Sequence, residues 1–169
     1  MANKTAPRLI EHIGVLVDDL EAAIERWESV MGYTFGPICR YRTDSWVDSS
    51  EEGPHHHDAR LVFSHEGPPR IELMEVTGRG THGPSQRGFH HFGIIQVEEA
   101  DELRRSFIDR GIAVDGASLD AAGRAILWFT DPEALDGVRL EFVGVEPQPA
   151  FTDSGVALVF GPDGNPIFD

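Results

Sequence analysis

The sequence predicts an α+β fold in which two βαβββ modules contribute their strands to one curved mixed sheet around a cleft. Three observations lead there. First, Ile10-Glu11-His12-Ile13-Gly14-Val15-Leu16-Val17 is repeated as Phe89-His90-His91-Phe92-Gly93-Ile94-Ile95-Gln96-Val97; each copy has a His, one large apolar residue, a Gly and a β-forming run, with an acidic helix-like segment after it. Second, Arg70-Ile71-Glu72-Leu73-Met74-Glu75-Val76 is echoed by Arg139-Leu140-Glu141-Phe142-Val143-Gly144-Val145. Third, Gly78, Gly80, Gly83, Pro84 and Gly88 crowd the stretch between them, which reads as a linker. The His copies lie 79 residues apart and the Glu copies 69. That period is too long for a solenoid and suits two modules of one pseudo-symmetric domain. The expected units are residues 1–76, a linker at 77–88, residues 89–145, and a tail at 146–169 carrying an extra strand or hairpin.

Taken in order, residues 9–17 read as a strand. Asp18-Asp19-Leu20-Glu21 then offers N-cap and first-turn chemistry for a helix to about Met31, with Leu20, Ala23, Ile24 and Trp27 as its apolar stripe and Gly32 as its stop. Tyr33 to Val47 is expected as one long irregular strand, and Asp48 to Asp58 as a surface loop. Arg60 to His65 and Arg70 to Val76 form a hairpin across Glu66-Gly67-Pro68-Pro69. The second half repeats the order: strand 89–97, helix from about Glu98 to Arg110, and strands 112–118, 124–130 and 137–144. In the tail, Val156 to Phe160 is apolar enough to need a cover, and a homodimer is the expected source of it.

Composition narrows the function classes. A chain of 169 residues, 40% hydrophobic and 25% charged, suits one globular domain. No apolar run approaches the roughly 18–20 residues that cross a bilayer, and Met-Ala-Asn-Lys-Thr-Ala-Pro lacks the apolar core of a signal peptide, so a cytoplasmic location is expected. The net charge of −15 argues against nucleic acid and anionic membrane as partners and leaves a small molecule. Cys39 is the only cysteine, which rules out an intrachain disulfide and a thiolate-built zinc site.

Strand alternation puts Ile10, His12, Gly14 and Leu16 on one face, and selects His91 over His90 as the partner of His12, since His90 then points away with Phe92 and Ile94. Each Gly follows its His by two residues on the same face, where a missing side chain leaves room for a metal or substrate. Glu72 and Glu141 lie opposite the core-facing Ile71, Leu73, Leu140 and Phe142. Two imidazoles and two carboxylates suit one divalent ion such as zinc, nickel, cobalt, iron or manganese. His55-His56-His57 reads as a flexible surface tract, and Cys39 as packing. Arg40, Tyr41, Arg42, His82, Arg87 and Arg124 are further residues within reach of a substrate.

The doubled pattern over residues 9–145 resembles the vicinal oxygen chelate superfamily, which comprises glyoxalases, bleomycin-resistance proteins and extradiol dioxygenases. His12 in His-Ile-Gly, Glu72 in Ile-Glu-Leu, His91 in Phe-His-His-Phe-Gly and Glu141 in Gly-Val-Arg-Leu-Glu-Phe look like the ligand set of its glyoxalase I and methylmalonyl-CoA epimerase branches. In place of the epimerases' apolar, lysine-containing insert before the second His, the chain has glycine-rich Thr77 to Gly88. The resemblance implies a glyoxalase-like fold and a metal-dependent isomerase, epimerase or lyase working through an enolate or enediolate, with Glu141 or Glu72 as catalytic base. Two alternatives accompany it: an extradiol-type dioxygenase using His12, His91 and Glu141, and a metal-free binding protein of the bleomycin-resistance kind.

Overall fold

The computed structural model describes residues 6–168; the polar lead-in through Thr5 lies outside them. The first half folds as β1 (His12–Val17), α1 (Leu20–Met31), β2 (Cys39–Asp48), β3 (His55–Phe63) and β4 (Arg70–Glu75). The second half repeats this order as β5 (Gly88–Val97), α2 (Ala100–Asp109), β6 (Val114–Leu119), β7 (Ala125–Thr130) and β8 (Leu140–Gly144). Three short strands, β9 (Ala150–Thr152), β10 (Val159–Phe160) and β11 (Pro166–Ile167), follow in the tail.

The strands run β3-β4-β1-β5-β8-β7-β6-β2, and β2 pairs back onto β3, so the curved sheet closes into an eight-stranded ring. β1 is parallel to β4 and β5 to β8, whereas β1 and β5 meet antiparallel at the junction of the halves. Closure rests on the length of β2, whose Trp46–Asp48 end pairs with Gly116–Ser118 of β6 while Cys39–Thr43 pairs with β3. A closed ring leaves no unpaired edge and separates an inner from an outer face.

The outer face is covered by the helices. Asp19 Oδ1 accepts from the Ala22 N–H and Gly32 ends α1 at φ 70°, as the sequence predicts. Leu20 and Ala23 of α1 pack on Val62, Ile71 and Leu73. α2 sets Ala100, Leu103 and Phe107 against Trp128 and Phe142, and the Trp128 indole donates to the Ala100 carbonyl at 2.9 Å. The residues between them in sequence, including Leu16, Leu61, Met74, Leu127 and Phe129, fill the inside of the ring.

Several boundaries differ from expectation. Gly36-Pro37 interrupts the segment expected as one strand from Tyr33, so β2 starts at Cys39, because proline has no N–H for a ladder. β1 begins at His12 and α2 at Ala100. The expected loop through Asp58 stops short: His55–Asp58 belong to β3 and pair with Arg42–Trp46 of β2. In the tail, β9 adds to β2, while β10 and β11 form a hairpin. Leu158 joins the core cluster around Leu16, and Phe160 faces the interior of the ring, so part of the segment expected to need a second copy is covered from within the chain. Among the described residues no helix is long and apolar enough to cross a membrane.

Candidate metal centre

His12, Glu72, His91 and Glu141 come from four neighbouring strands, β1, β4, β5 and β8, and all four are buried. The strand register sets them in two rows. In one, Glu72 and His91 flank Gly14; in the other, His12 and Glu141 flank Gly93. The glycines therefore do more than leave room for a ligand. A Cβ at Gly93 would lie 2.0 Å from Nε2 of His12, and one at Gly14 would lie 2.1 Å from Cε1 of His91, so each glycine makes space for the imidazole of the other half.

The donor atoms converge within 4.8 Å of one another. His12 Nε2 is 2.8 Å from Glu141 Oε2, 3.2 Å from His91 Nε2 and 3.6 Å from Glu72 Oε2. His91 Nε2 is 3.1 Å from Glu72 and 3.3 Å from Glu141. Glu72 Oε2 is buried without a hydrogen-bond partner. Two carboxylates this close repel each other and require positive charge between them.

Neighbouring groups decide which ring nitrogen faces the centre. The Glu11 carboxylate can only accept, so at 2.7 Å it takes the Nδ1–H of His12 and turns Nε2 inward. Arg70 holds Glu11 from the other side. At the second His, the Thr81 carbonyl accepts from Nε2–H of His90 at 2.7 Å, which leaves His90 Nδ1 bare to accept Nδ1–H of His91 at 2.9 Å. Burial, with His91 and Arg139 beside it, lowers the His90 pKa to about 3 and keeps that ring neutral. Both inward nitrogens are thus oriented as metal ligands require.

The electrostatics of the cluster are those of a cation site filled by protons. Burial opposes charge on His12, but its bonds to Glu11 and Glu141 and the nearby Glu72 charge outweigh this and raise its pKa to about 10. His91 is raised in the same way by Glu141 and Glu72. Burial would raise Glu141, yet His91 and His12 hold it far below the ordinary carboxylate range. A divalent ion bound among these donors would displace the Nε2 protons and serve as the countercharge. The donor set and the orphaned Glu72 oxygen fit such an ion.

Beside the centre lies a partly open chamber of about 110 Å³. His12, Glu72 and Glu141 line it, with Leu61, Phe63, Met74, Leu127, Phe129 and Val143 as apolar walls and Phe160, Gly164 and Pro166 of the tail at its edge. Of the further residues expected near substrate, Arg40, Tyr41 and His82 line the chamber, and the Tyr41 hydroxyl donates to Gln148. Arg42, Arg87 and Arg124 pair with Asp58, Asp18 and Asp120 instead. Cys39 is buried packing, its thiol pushed up to about 12 by burial.

Two expectations need correction. His90 does not point away: β5 pairs His91 with Gly14 but Phe89 with Val15, so His90 is the extra residue of a bulge, and its side chain turns inward beside His91. His57 is no surface residue either, because it lies on β3 with its ring in the chamber. Glu11 was missed because alternation places it opposite His12. Its carboxylate reaches the ring at the strand's start, and the register of Arg70 against His12 is the signal that could have found it.

Residues 11–128 match the family described as the Glyoxalase/Bleomycin resistance protein/Dioxygenase superfamily, and the chain belongs to it. Among solved structures, a hypothetical protein from Bacillus halodurans is 19% identical with a TM-score of 0.57, covering 85% of this chain and 98% of its own. A variant of Streptomyces coelicolor methylmalonyl-CoA epimerase in complex with 2-nitronate-propionyl-CoA is 19% identical with a TM-score of 0.54, over 85% and 99% of the two chains. Methylmalonyl-CoA epimerase from Mycobacterium tuberculosis gives 19% and 0.54 over 86% and 95%. At these identities the likeness is one of fold. No curated protein matches the chain significantly.

Proposed function

We propose that the protein is a divalent-metal-dependent isomerase, epimerase or lyase that moves a proton at a carbon next to a carbonyl in a small substrate. The observation that carries this is the buried convergence of His12, Glu72, His91 and Glu141, with the outward nitrogen of each imidazole already committed to a neighbour. A bound zinc, nickel, cobalt, iron or manganese ion would supply Lewis acidity to the substrate carbonyl and lower the energy of the enolate or enediolate form.

The chain's own groups do the rest. His12, His91 and Glu141 would hold the ion, with His12 and Glu141 side by side across Gly93. Glu72, which lines the chamber beside the two imidazoles, is the carboxylate we assign to loosen and collect the proton. The apolar walls Leu61, Phe63, Met74, Leu127, Phe129 and Val143, with Phe160 of the tail, limit the water around that exchange. Glu72 as a fourth donor also disfavours a dioxygenase, which needs that position open.

Metal analysis and proton exchange test this together. Protein purified without chelator should carry one divalent ion per chain, and His91→Ala should lose it. With small 2-oxo acids in deuterated water the loaded protein should exchange the α-carbon proton, stop on addition of chelator, and slow about a hundredfold or more in Glu72→Gln. Full metal occupancy in His91→Ala would sink the site. Dioxygen consumption with catechols would move the protein to the oxygenases, and chelator-insensitive ligand binding without turnover would leave a binding protein.

A further inference from the structure

Beyond the metal centre, the inner face carries a row of adjoining imidazole rings that the proposed chemistry leaves unused. From His91 the ring centroids step 5.2 Å to His90, 4.9 Å to His82 and 4.9 Å to His57. His90 spends both nitrogens on Thr81 and His91. His82 does not: it is 4% exposed and lines the chamber, and its Nδ1 is buried with no hydrogen-bond partner among the described residues. His57 lines the same chamber, stacked on Trp46 at 4.3 Å.

This pair is held in place on purpose-built supports. Asp48 accepts from the Thr81 backbone N–H at 3.1 Å, and the Thr81 carbonyl takes the His90 proton, so the residue before His82 is fixed at both polar groups. Phe129 meets the His82 ring edge-on at 5.4 Å. A buried donor or acceptor left bare costs roughly 1–3 kcal/mol, so a site that orders one so firmly is matched to something that satisfies it.

We propose that His82, with His57, forms a subsite for the substrate, where a neutral hydroxyl or carbonyl at the end of the molecule remote from the reacting carbon is hydrogen-bonded. Burial is the main reason both rings stay uncharged, with His57 lowered to about 4 and His82 well below its ordinary value. A neutral imidazole offers one N–H and one bare nitrogen, which suits a hydroxyl or carbonyl and gives a carboxylate no countercharge. The guanidiniums around the chamber are already paired: Arg40 with Asp58 and Asp153, Arg70 with Glu11, and Arg139 with Asp115, Gln86 and the His90 carbonyl. The chamber of about 110 Å³ takes a group of roughly the size of benzene between mostly apolar walls, so the part of the substrate it holds is mostly apolar, polar at two ends.

The assignment rests on the proposed function for which end reacts, but its test does not need turnover. Phenol and toluene, alike in shape and different in one hydroxyl, are titrated into zinc-loaded and metal-free protein, with the histidine imidazoles labelled with nitrogen-15. Phenol should bind about five- to tenfold more tightly than toluene in both forms. It should shift the His82 nitrogen resonances where toluene does not. The preference should vanish in His82→Phe, which keeps a ring in the stack, and shrink in His57→Phe. Equal affinity for the two probes, or a preference for phenol that survives both substitutions, overturns the subsite. Metal content, measured on the same samples, reports separately on the metal centre.

Discussion

At Gly93 a single methyl group would collide with the imidazole of His12, and at Gly14 with that of His91. The two positions are coupled to the candidate ligands of the opposite half, so they constrain the cluster although they carry no donor. Gly93→Ala should push His12 off its position between Glu11 and Glu141, because the ring is held at Nδ1 by one carboxylate and at Nε2 by the other. The expected loss is about 1–3 kcal/mol of stability from overpacking, and a larger loss in metal affinity than in stability. Zinc titration against a competing chelator, alongside urea unfolding, measures both. Wild-type zinc affinity in this variant would show that the crossed packing does not set the centre's geometry.

Among the elements, the glycine-rich linker is the one whose role changes most once folded. It winds through two short 3₁₀ turns, Gly80–His82 and Pro84–Gln86, and buries Thr81 and His82. Asp48 at the end of β2 anchors it, accepting from the Thr81 backbone, the Trp46 indole and Ser50. Burial would raise the Asp48 pKa, but those bonds outweigh it and bring it from 3.8 to about 2. A carboxyl lowered on folding contributes stability above its unfolded pKa and loses it as pH falls through the folded one. Asp48→Ala should therefore cost about 1–3 kcal/mol at neutral pH, by removal of charge-assisted hydrogen bonds. The urea midpoints of variant and wild type should converge as pH drops from 3.8 towards about 2. A gap that is independent of pH would mean that the carboxylate's charge is not what anchors the linker.

For the whole molecule, the ring closes without the tail, since β9 adds to β2 outside the eight paired strands. The tail instead lines one side of the chamber, with Phe160, Gly164 and Pro166 there and Gln148 on the Tyr41 hydroxyl. Removal of residues 147–169 should leave a folded barrel with its metal. Substrate proton exchange should fall about tenfold as water enters the site. Metal analysis, circular dichroism and the exchange assay on the truncated chain decide this, and undiminished exchange would remove the tail from the chemistry. Light scattering of both forms reads whether the tail also takes part in the expected homodimer.

The doubled His-x-Gly and Leu-Glu or Glu-Leu patterns made the four donors legible, because side chains alternate with a period of two and each strand was long enough to show its register. The same pattern, read with the caps at Asp19 and Gly32, located both helices. What alternation could not show was anything that depends on a partner strand. The bulge that turns His90 inward exists only against β1, and His57 joins the chamber only because β2 extends β3. His82 came to the interior by way of a linker whose glycines resemble those of any surface loop. Closure of the sheet through β2 and β6, and the tail's place at the chamber, are likewise contacts between segments far apart in the chain. Local periodicity is set residue by residue, so the sequence alone determined the order of strands and helices in each half and the four converging side chains. The chamber, its extra histidines and the orientation of each imidazole were decided by tertiary structure, because hydrogen bonds and packing between distant strands have no signature along the chain.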